Sequence, residues 1–325
     1  MSSRKILKIL EEHKGEILSG IHLAQELGLS RNAIWKGINT LKEEGYLIES
    51  VKNKGYRLLP ESDSLSESEI RLKLQPQAPH YQFILLDEVP STNSYLKENR
   101  ESHLENNTVV LAKVQTQGRG RLGKTFHSED KGGIYLSLYK NENLTDYDIG
   151  LLTIATALAV SDTLDETAQV NTGIKWVNDL YLQGKKIAGI LTEGTLEMET
   201  GSLSSFIIGI GINVNVDAFP EELTDIASSL SLLTKKTYSR NEIIAALLST
   251  LESYLLLTKT DPKGLLARYR EKLLFVGETI EVFRGKDTFQ GTLQTVNDEG
   301  HLVVDCQGQR KTFNSGEISI RKAKN

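Results

Sequence analysis

The chain has 325 residues, 38 Lys+Arg against 43 Asp+Glu, and a formal net charge of −5; at roughly 100–200 residues per domain it should hold two or three domains. Hydrophobic residues make up 39%, and 26 glycines bring the broader apolar class into the globular range, which excludes a wholly disordered or fibrous chain. One cysteine, Cys306, excludes an internal disulfide framework and a Cys-rich zinc site; the charged start MSSRKILKILEEHK does not read as a signal peptide, and the nearly uncharged stretch Ile149 to Ser161 is short for a membrane span. A cytoplasmic protein with no membrane partner is expected.

Residues 4–13 read as a short helix with Ile6, Leu7, Ile9 and Leu10 apolar. HLAQELG gives a second helix that stops at Gly28. Ser30 is placed to cap a third over 31–44, whose apolar stripe is Ile34, Ile38 and Leu41 and whose other face offers Arg31, Asn32, Trp35, Lys36 and Asn39. Two strand-like runs follow, YLIES and GYRLL, joined through Val51-Lys52-Asn53-Lys54. Three helices and then a basic hairpin is the winged helix-turn-helix order. Residues 1–60 carry ten basic and seven acidic side chains, so a basic head sits on an acidic body. DNA binding is expected, with Arg31, Asn32, Lys36 and Asn39 on the recognition helix and Lys52, Lys54 and Arg57 on the wing.

Pro60 and ESDSLSESE form a polar junction, after which Ser66 and Glu69 fit a capping box for a helix near 67–74. The middle mixes the strand-like runs FILLDE, TVVLAKVQT, GIYLSLY, IKWVNDLYL, KIAGILTEG and SFIIGIGINVNV with apolar helices near 148–167 and 239–259; Ser239 and Glu242 repeat the capping box. Tight turns such as Gln183-Gly184-Lys185 predict a mostly antiparallel or mixed sheet. From about 276, ETIEVFRG, FQGTLQTV, HLVVDC and RKTFNSGEISI read as a small β-barrel. The expected class is α+β, in three domains: 1–62, 63–273 and 274–325.

GRGRLGKT at 118–125 formally satisfies both G-x-x-x-x-G-K-T and G-x-G-x-x-G. A P-loop needs a helix directly after it, because the helix N-terminus supplies the N–H groups that face phosphate. Here FHSEDKGG and a strand follow, and the acidic strand FILLDE precedes the loop where a P-loop fold has it after. What remains is a glycine-hinged loop that brings Arg119 and Arg121 to an anion. The six histidines, His13, His22, His80, His103, His127 and His301, are scattered, and no G-x-S-x-G elbow is present.

STN (91–93), QTQGRGRLG (115–123), KWVND (175–179), GILTE (189–193) and GIGINVN (209–215), in that order, resemble the biotin–protein ligase family. The bifunctional branch, whose members also repress the biotin operon, is the most similar, because the winged-helix head and the β-rich tail match as well. Gln117 stands where the family often has Ala, and Val177 where it often has Pro. The resemblance implies a ligase domain like class II aminoacyl-tRNA synthetases and an SH3-like tail. It also implies condensation of ATP and biotin to biotinoyl-5′-adenylate, then transfer of biotin to a lysine of a biotin carboxyl carrier protein. With only Met1 and Met198, the chain lacks a Met-Lys-Met acceptor and looks like the enzyme rather than its substrate.

Residue chemistry suits those roles. Ser91, Thr92, Asn93 and Gln115 can meet a urea, with Arg119, Gly120, Arg121 and Lys175 completing the biotin site. Arg119, Arg121 and Lys175 can offset the repulsion between a carboxylate and a polyphosphate, which makes them the catalytic candidates. Arg121, Lys175 and Asn213 are the nucleotide candidates. Mg2+ would travel with ATP, and no protein ligand for it is named. A homodimer is expected on operator DNA, with the adenylate as corepressor, because one winged helix reads only a half-site. Two alternatives stay open: a ligand-responsive transcription factor without ligase chemistry, and a winged-helix ATPase that hydrolyses ATP without biotin.

Overall fold

The computed structural model describes residues 2–100, 104–128, 131–142, 144, 147–197, 199, 202–315 and 318–322. Met1, His103 and Met198 lie outside the described residues. The chain divides into two compact units, one of residues 1–76 and 237–246, the other of 77–236 and 247–325.

The first unit opens with helices α1 (Ser2–Glu12), α2 (Gly20–Leu27) and α3 (Arg31–Glu43) and the hairpin β1 (Ile48–Val51) and β2 (Gly55–Leu58). Ser19 caps α2 by accepting from His22 N, Gly28 ends it at φ 64°, and Ser30 caps α3 by accepting from Ala33 N. Ile6, Leu7, Leu10, Leu23, Ile34, Ile38, Leu41 and Leu58 are buried together as its core. Gly55 is required where it stands: at φ 139°, an added Cβ would lie 2.0 Å from the Leu18 carbonyl oxygen. Helix α4 (Glu67–Lys73) and the start of α8 (Arg240–Thr260) belong to this unit too.

Ser66 Oγ accepts from Glu69 N, but only half of the expected capping box forms. The Glu69 carboxylate instead accepts from Lys14 Nζ (3.0 Å) and Asn241 Nδ2 (2.8 Å), and Ser66 N donates to Asn241 Oδ1. A buried carboxylate takes a cation in preference to one backbone N–H. At the second predicted box Ser239 Oγ likewise accepts from Glu242 N, while the Glu242 carboxylate pairs with Lys73.

In the second unit β3 (Gln82–Val89), β4 (Thr108–Gln115), β5 (Ile134–Lys140), β6 (Gly173–Lys175), β7 (Asp179–Leu182), β8 (Lys185–Leu196) and β9 (Leu203–Ile212) form one sheet in the order β3-β4-β5-β9-β8-β7-β6. Only β3 and β4 run parallel; the other neighbours are antiparallel. Helix α5 (Thr92–Asn99) connects that parallel pair, and α6 (Ile149–Ala168), largely buried, packs on β8. Helices α7 (Leu230–Thr234) and α9 (Pro262–Glu271) flank α8 in sequence. By length and composition α8 could cross a membrane; Leu247, Leu248, Leu251 and Leu255 spend that apolarity on burial.

IKWVNDLYL is not one strand. It folds back at 176–178, so that Lys175 pairs with Asp179 across β6 and β7. Trp176 and Val177 are both buried, which an alternating strand with one buried face does not allow. The tail forms β10 (Thr279–Arg284), β11 (Asp287–Val296), β12 (Leu302–Cys306), β13 (Gln309–Phe313) and β14 (Ile318–Lys322). Their order, β13-β12-β11-β10-β14, is an open sheet rather than the closed barrel expected: among the described residues the edge strands β13 and β14 share no ladder. Closure needs exactly that ladder. The sheet is tied to the rest of its unit by Trp176 Nε1 donating to Gly300 O (3.1 Å) and Arg270 Nε to Val296 O (2.6 Å).

Candidate active site

A cleft of about 140 Å³ opens where the C-terminal ends of β3 and β4 meet β7, β8 and β9. The structure brings Ser91, Thr92, Asn93, Gln115, Arg119, Gly120, Arg121 and Lys175 together around it. Asn213 is not among them. Its buried amide donates to Ser228 O (3.2 Å), and its Oδ1 has no hydrogen-bond partner among the described residues.

The inner end of the cleft is lined by neutral side chains that are closely bonded, with the Glu193 carboxylate behind them. Ser91 caps α5, which leaves the first helical N–H, that of Thr92, to donate to Gln115 Oε1 (2.8 Å). Gln115 Nε2 donates to Ser128 Oγ (3.2 Å), fixing which end of the amide faces Thr92. The Ser137 hydroxyl, on β5, lies 2.7 Å from Thr92 Oγ1 and donates to Asn93 Oδ1 (2.6 Å). Asn93 Nδ2 donates to Glu193 Oε2 (2.9 Å). Asn93 reaches this position because residue 209 is glycine: a Cβ there would stand 2.2 Å from Asn93 Oδ1. Leu136, Leu191 and Ile210 supply apolar wall.

The outer end is cationic. After β4 the chain folds on itself, with Phe126 N donating to Gly118 O and Gly120 N to Lys124 O, and a single turn at Arg121–Gly123 in which Leu122 takes φ 54°. No helix starts at Thr125, so the P-loop pattern lacks the helix that would bind phosphate. The glycine pattern serves close packing instead: a Cβ on Gly118 would meet Phe126 O at 2.2 Å, and one on Gly211 would meet the Phe126 ring at 2.6 Å. Arg119 is held by Glu193 (3.1 Å), and Arg121 donates to Asn178 Oδ1 (3.2 Å) and to Ser315 O. Burial lowers the Arg121 pKa, opposed by Asp179 and Tyr269.

Lys175 stands at the mouth of the β6–β7 hairpin with no hydrogen bond or ion pair among the described residues; its ammonium lies 5.8 Å from the Tyr181 ring centroid. Burial pushes its pKa down, Asp179 pulls it up, and Lys186, Lys124 and Arg321 push it further down. Asp179 is itself paired to Lys186 (2.6 Å). The cleft thus places neutral donors and acceptors beside apolar wall at one end and surplus positive charge at the other. That suits a ligand with an apolar body, a polar uncharged head and an anionic tail that must meet a second anion.

Sequence reasoning missed Ser128, Ser137 and Asn178. Ser137 sits inside an apolar strand run, and nothing local marks it as facing a helix N-terminus. Asn178 and Glu193 stood inside quoted motifs without a role; the fold shows that they hold the two arginines.

In the first unit Arg31, Asn32, Lys36, Lys52 and Lys54 are exposed and Asn39 half-exposed, as a nucleic-acid face requires. Arg57 departs from this: its Nε donates to Glu49 (3.0 Å) across the hairpin, which offsets its charge.

Comparison with known proteins agrees with this division. Residues 85–213 match the biotin/lipoate A/B protein ligase family, residues 3–57 an HTH domain, and residues 275–321 the biotin protein ligase C terminal domain. The chain is 35% identical to the bifunctional ligase/repressor BirA of Bacillus spizizenii, over 98% of each chain. To that of Escherichia coli it is 31% identical, over 95% of this chain and 94% of the other. The biotin protein ligase of Aquifex aeolicus, solved in complex with biotin and ATP, superposes with a TM-score of 0.67 at 32% identity, covering 75% of this chain and all of that one.

Proposed function

The chain belongs to the biotin protein ligase family, and from that premise we propose that it is a cytoplasmic, bifunctional enzyme. It joins biotin to ATP as biotinoyl-5′-adenylate, passes biotin to a lysine of a carrier protein, and represses transcription through its winged-helix head. Three domains, 1–62, 63–273 and 274–325, divide the work. The observation that carries the reading is the Lys175 ammonium, without a hydrogen-bond or ion-pair partner among the described residues, in a cleft whose other end is the Thr92–Gln115–Ser137 network.

In this reading the biotin urea meets Ser91, Thr92, Asn93 and Gln115, whose orientation is fixed before the ligand arrives by the Thr92–Gln115 bond and by bonds to Ser94, Ser128, Ser137 and Glu193. The valerate carboxylate faces Arg119, Arg121 and Lys175. As it attacks the α-phosphorus of ATP, negative charge accumulates where Lys175 and Arg121 lie, and pyrophosphate leaves. The loop 116–125 covers the mixed anhydride and keeps water from it. Magnesium would come with the ATP phosphates and neutralise their charge. Among the described residues no three His, Cys, Asp or Glu side chains gather to hold an ion. Asn213, which does not line the cleft, is the remaining candidate for a nucleotide contact, its buried Oδ1 having no hydrogen-bond partner among the described residues. On operator DNA the protein acts as a homodimer, and the adenylate is the corepressor because it favours that dimer.

Biotin-dependent exchange of pyrophosphate into ATP tests the reading directly. Exchange that requires biotin is expected. Biotin binding without exchange would leave a sensor, and ATP hydrolysis without biotin would leave an ATPase; either result overturns the assignment.

A further inference from the structure

The outward face of α3 carries one side chain that the fold does not use. Ile34, Gly37, Ile38 and Leu41 of this helix are buried, whereas Trp35, beside Ile34, is 54% exposed. It makes no hydrogen bond, ring contact or cation contact with any described residue. At helical spacing it lies one turn from both Arg31 and Asn39 and three residues from Asn32, with Lys36 next to it. The largest apolar side chain of the helix therefore stands in the middle of its exposed polar donors. Single exposed apolar residues need no explanation on an ordinary surface; here the surroundings are cationic, and exposed Lys52 and Lys54 extend them onto the wing.

Such a face complements duplex DNA. Phosphates are met by cations and small polar groups, and polar base edges by Asn, Lys and Arg. The one apolar feature in the major groove is the thymine C5-methyl. Resting on the DNA-binding reading above, we propose that Trp35 is a specificity-determining residue that reads thymine in each half-site. Its ring covers the C5-methyl group, and its indole N–H is free to donate to an acceptor on a neighbouring base edge.

The test uses the full chain with biotin and ATP present. A random duplex library is first selected for bound sequences, and each thymine of the selected site is then replaced by deoxyuridine, which removes only the methyl group. Wild type should lose affinity at one thymine per half-site. W35A should bind the selected site at least about tenfold more weakly, bind random duplex unchanged, and show no penalty at that deoxyuridine. W35F should retain part of the penalty. Unchanged binding of random duplex, together with an unchanged melting transition and helical circular dichroism, would show that the head of W35A is folded. If W35A weakens selected and random duplexes alike, the indole touches backbone and the proposal fails while the DNA reading stands. If W35A binds as wild type with the same deoxyuridine profile, the proposal fails too. If wild type selects no sequence at all, the DNA reading falls and takes the proposal with it.

Discussion

Burial lowers the Lys175 pKa because its ammonium leaves water without a carboxylate bonded to it, and three neighbouring cations push the same way. Two outcomes follow at this one residue. The rate of adenylate formation should fall as pH rises through that lowered value, short of the ordinary lysine value of 10.5, and K175R should move the fall to higher pH; stopped exchange assays across pH would show it. Stability has the opposite sign. The unfolded chain binds the proton more tightly, so the charged lysine costs stability at neutral pH, and the cost disappears as pH rises toward the unfolded value. K175M should therefore melt about 2 °C higher at neutral pH, by calorimetry, with the gain shrinking in alkali. The same variant should lose at least ~100-fold in the exchange rate. Near-normal exchange would remove Lys175 from the mechanism.

At the scale of elements, the end of the cleft proposed to hold biotin depends on how closely α5 approaches β9. Gly209 permits that approach, since a Cβ there would overlap the Asn93 amide. G209A should force Asn93 out of its bonds to Ser137 and Glu193 and weaken biotin binding roughly tenfold or more, the scale of leaving buried polar groups unpaired. Titration calorimetry would measure it. S137A tests the same network without steric change and should raise the biotin Kd severalfold while ATP binding holds. If both variants bind biotin as wild type does, the Thr92–Gln115–Ser137 network is only structural.

For the whole molecule, the assignment of two functions to separable domains predicts that deleting residues 1–62 abolishes operator binding and leaves biotin-dependent exchange. The deletion also removes Lys14, the partner of buried Glu69, so the truncated chain should melt at lower temperature, with E69Q restoring part of the loss. Operator binding that survives truncation would contradict the domain assignment. Coupling between the functions belongs to this scale too. If the adenylate orders the arginine–glycine loop and thereby favours a dimer, the dimer must bind it more tightly by the same free energy, typically ~1–3 kcal/mol. R121A should then weaken adenylate retention and dimerisation together. Sedimentation with and without a non-hydrolysable adenylate analogue decides, and a tightly bound analogue that leaves the wild-type monomer–dimer equilibrium unchanged would end the corepressor model.

The helices of the head were legible residue by residue, because Ser30 and Gly28 act within one turn of where they stand and the Ile34–Ile38–Leu41 stripe repeats at the helical period. The mixed sheet was legible for a similar reason: short turns leave antiparallel neighbours few alternatives. The P-loop pattern could be rejected from the sequence too, since the missing helix is a local fact. What sequence could not decide are the partners that residues find at long range. Glu69 looked like a capping residue until Lys14 and Asn241 reached it; KWVND looked like a strand until burial of both Trp176 and Val177 turned it into a hairpin. Ser137 and Asn178 acquired roles only when β5 met α5 and the loop met β7. Periodicity and caps are short-range effects written in neighbouring residues, whereas a carboxylate chooses its cation, and a hydroxyl its amide, only after the chain has closed around them.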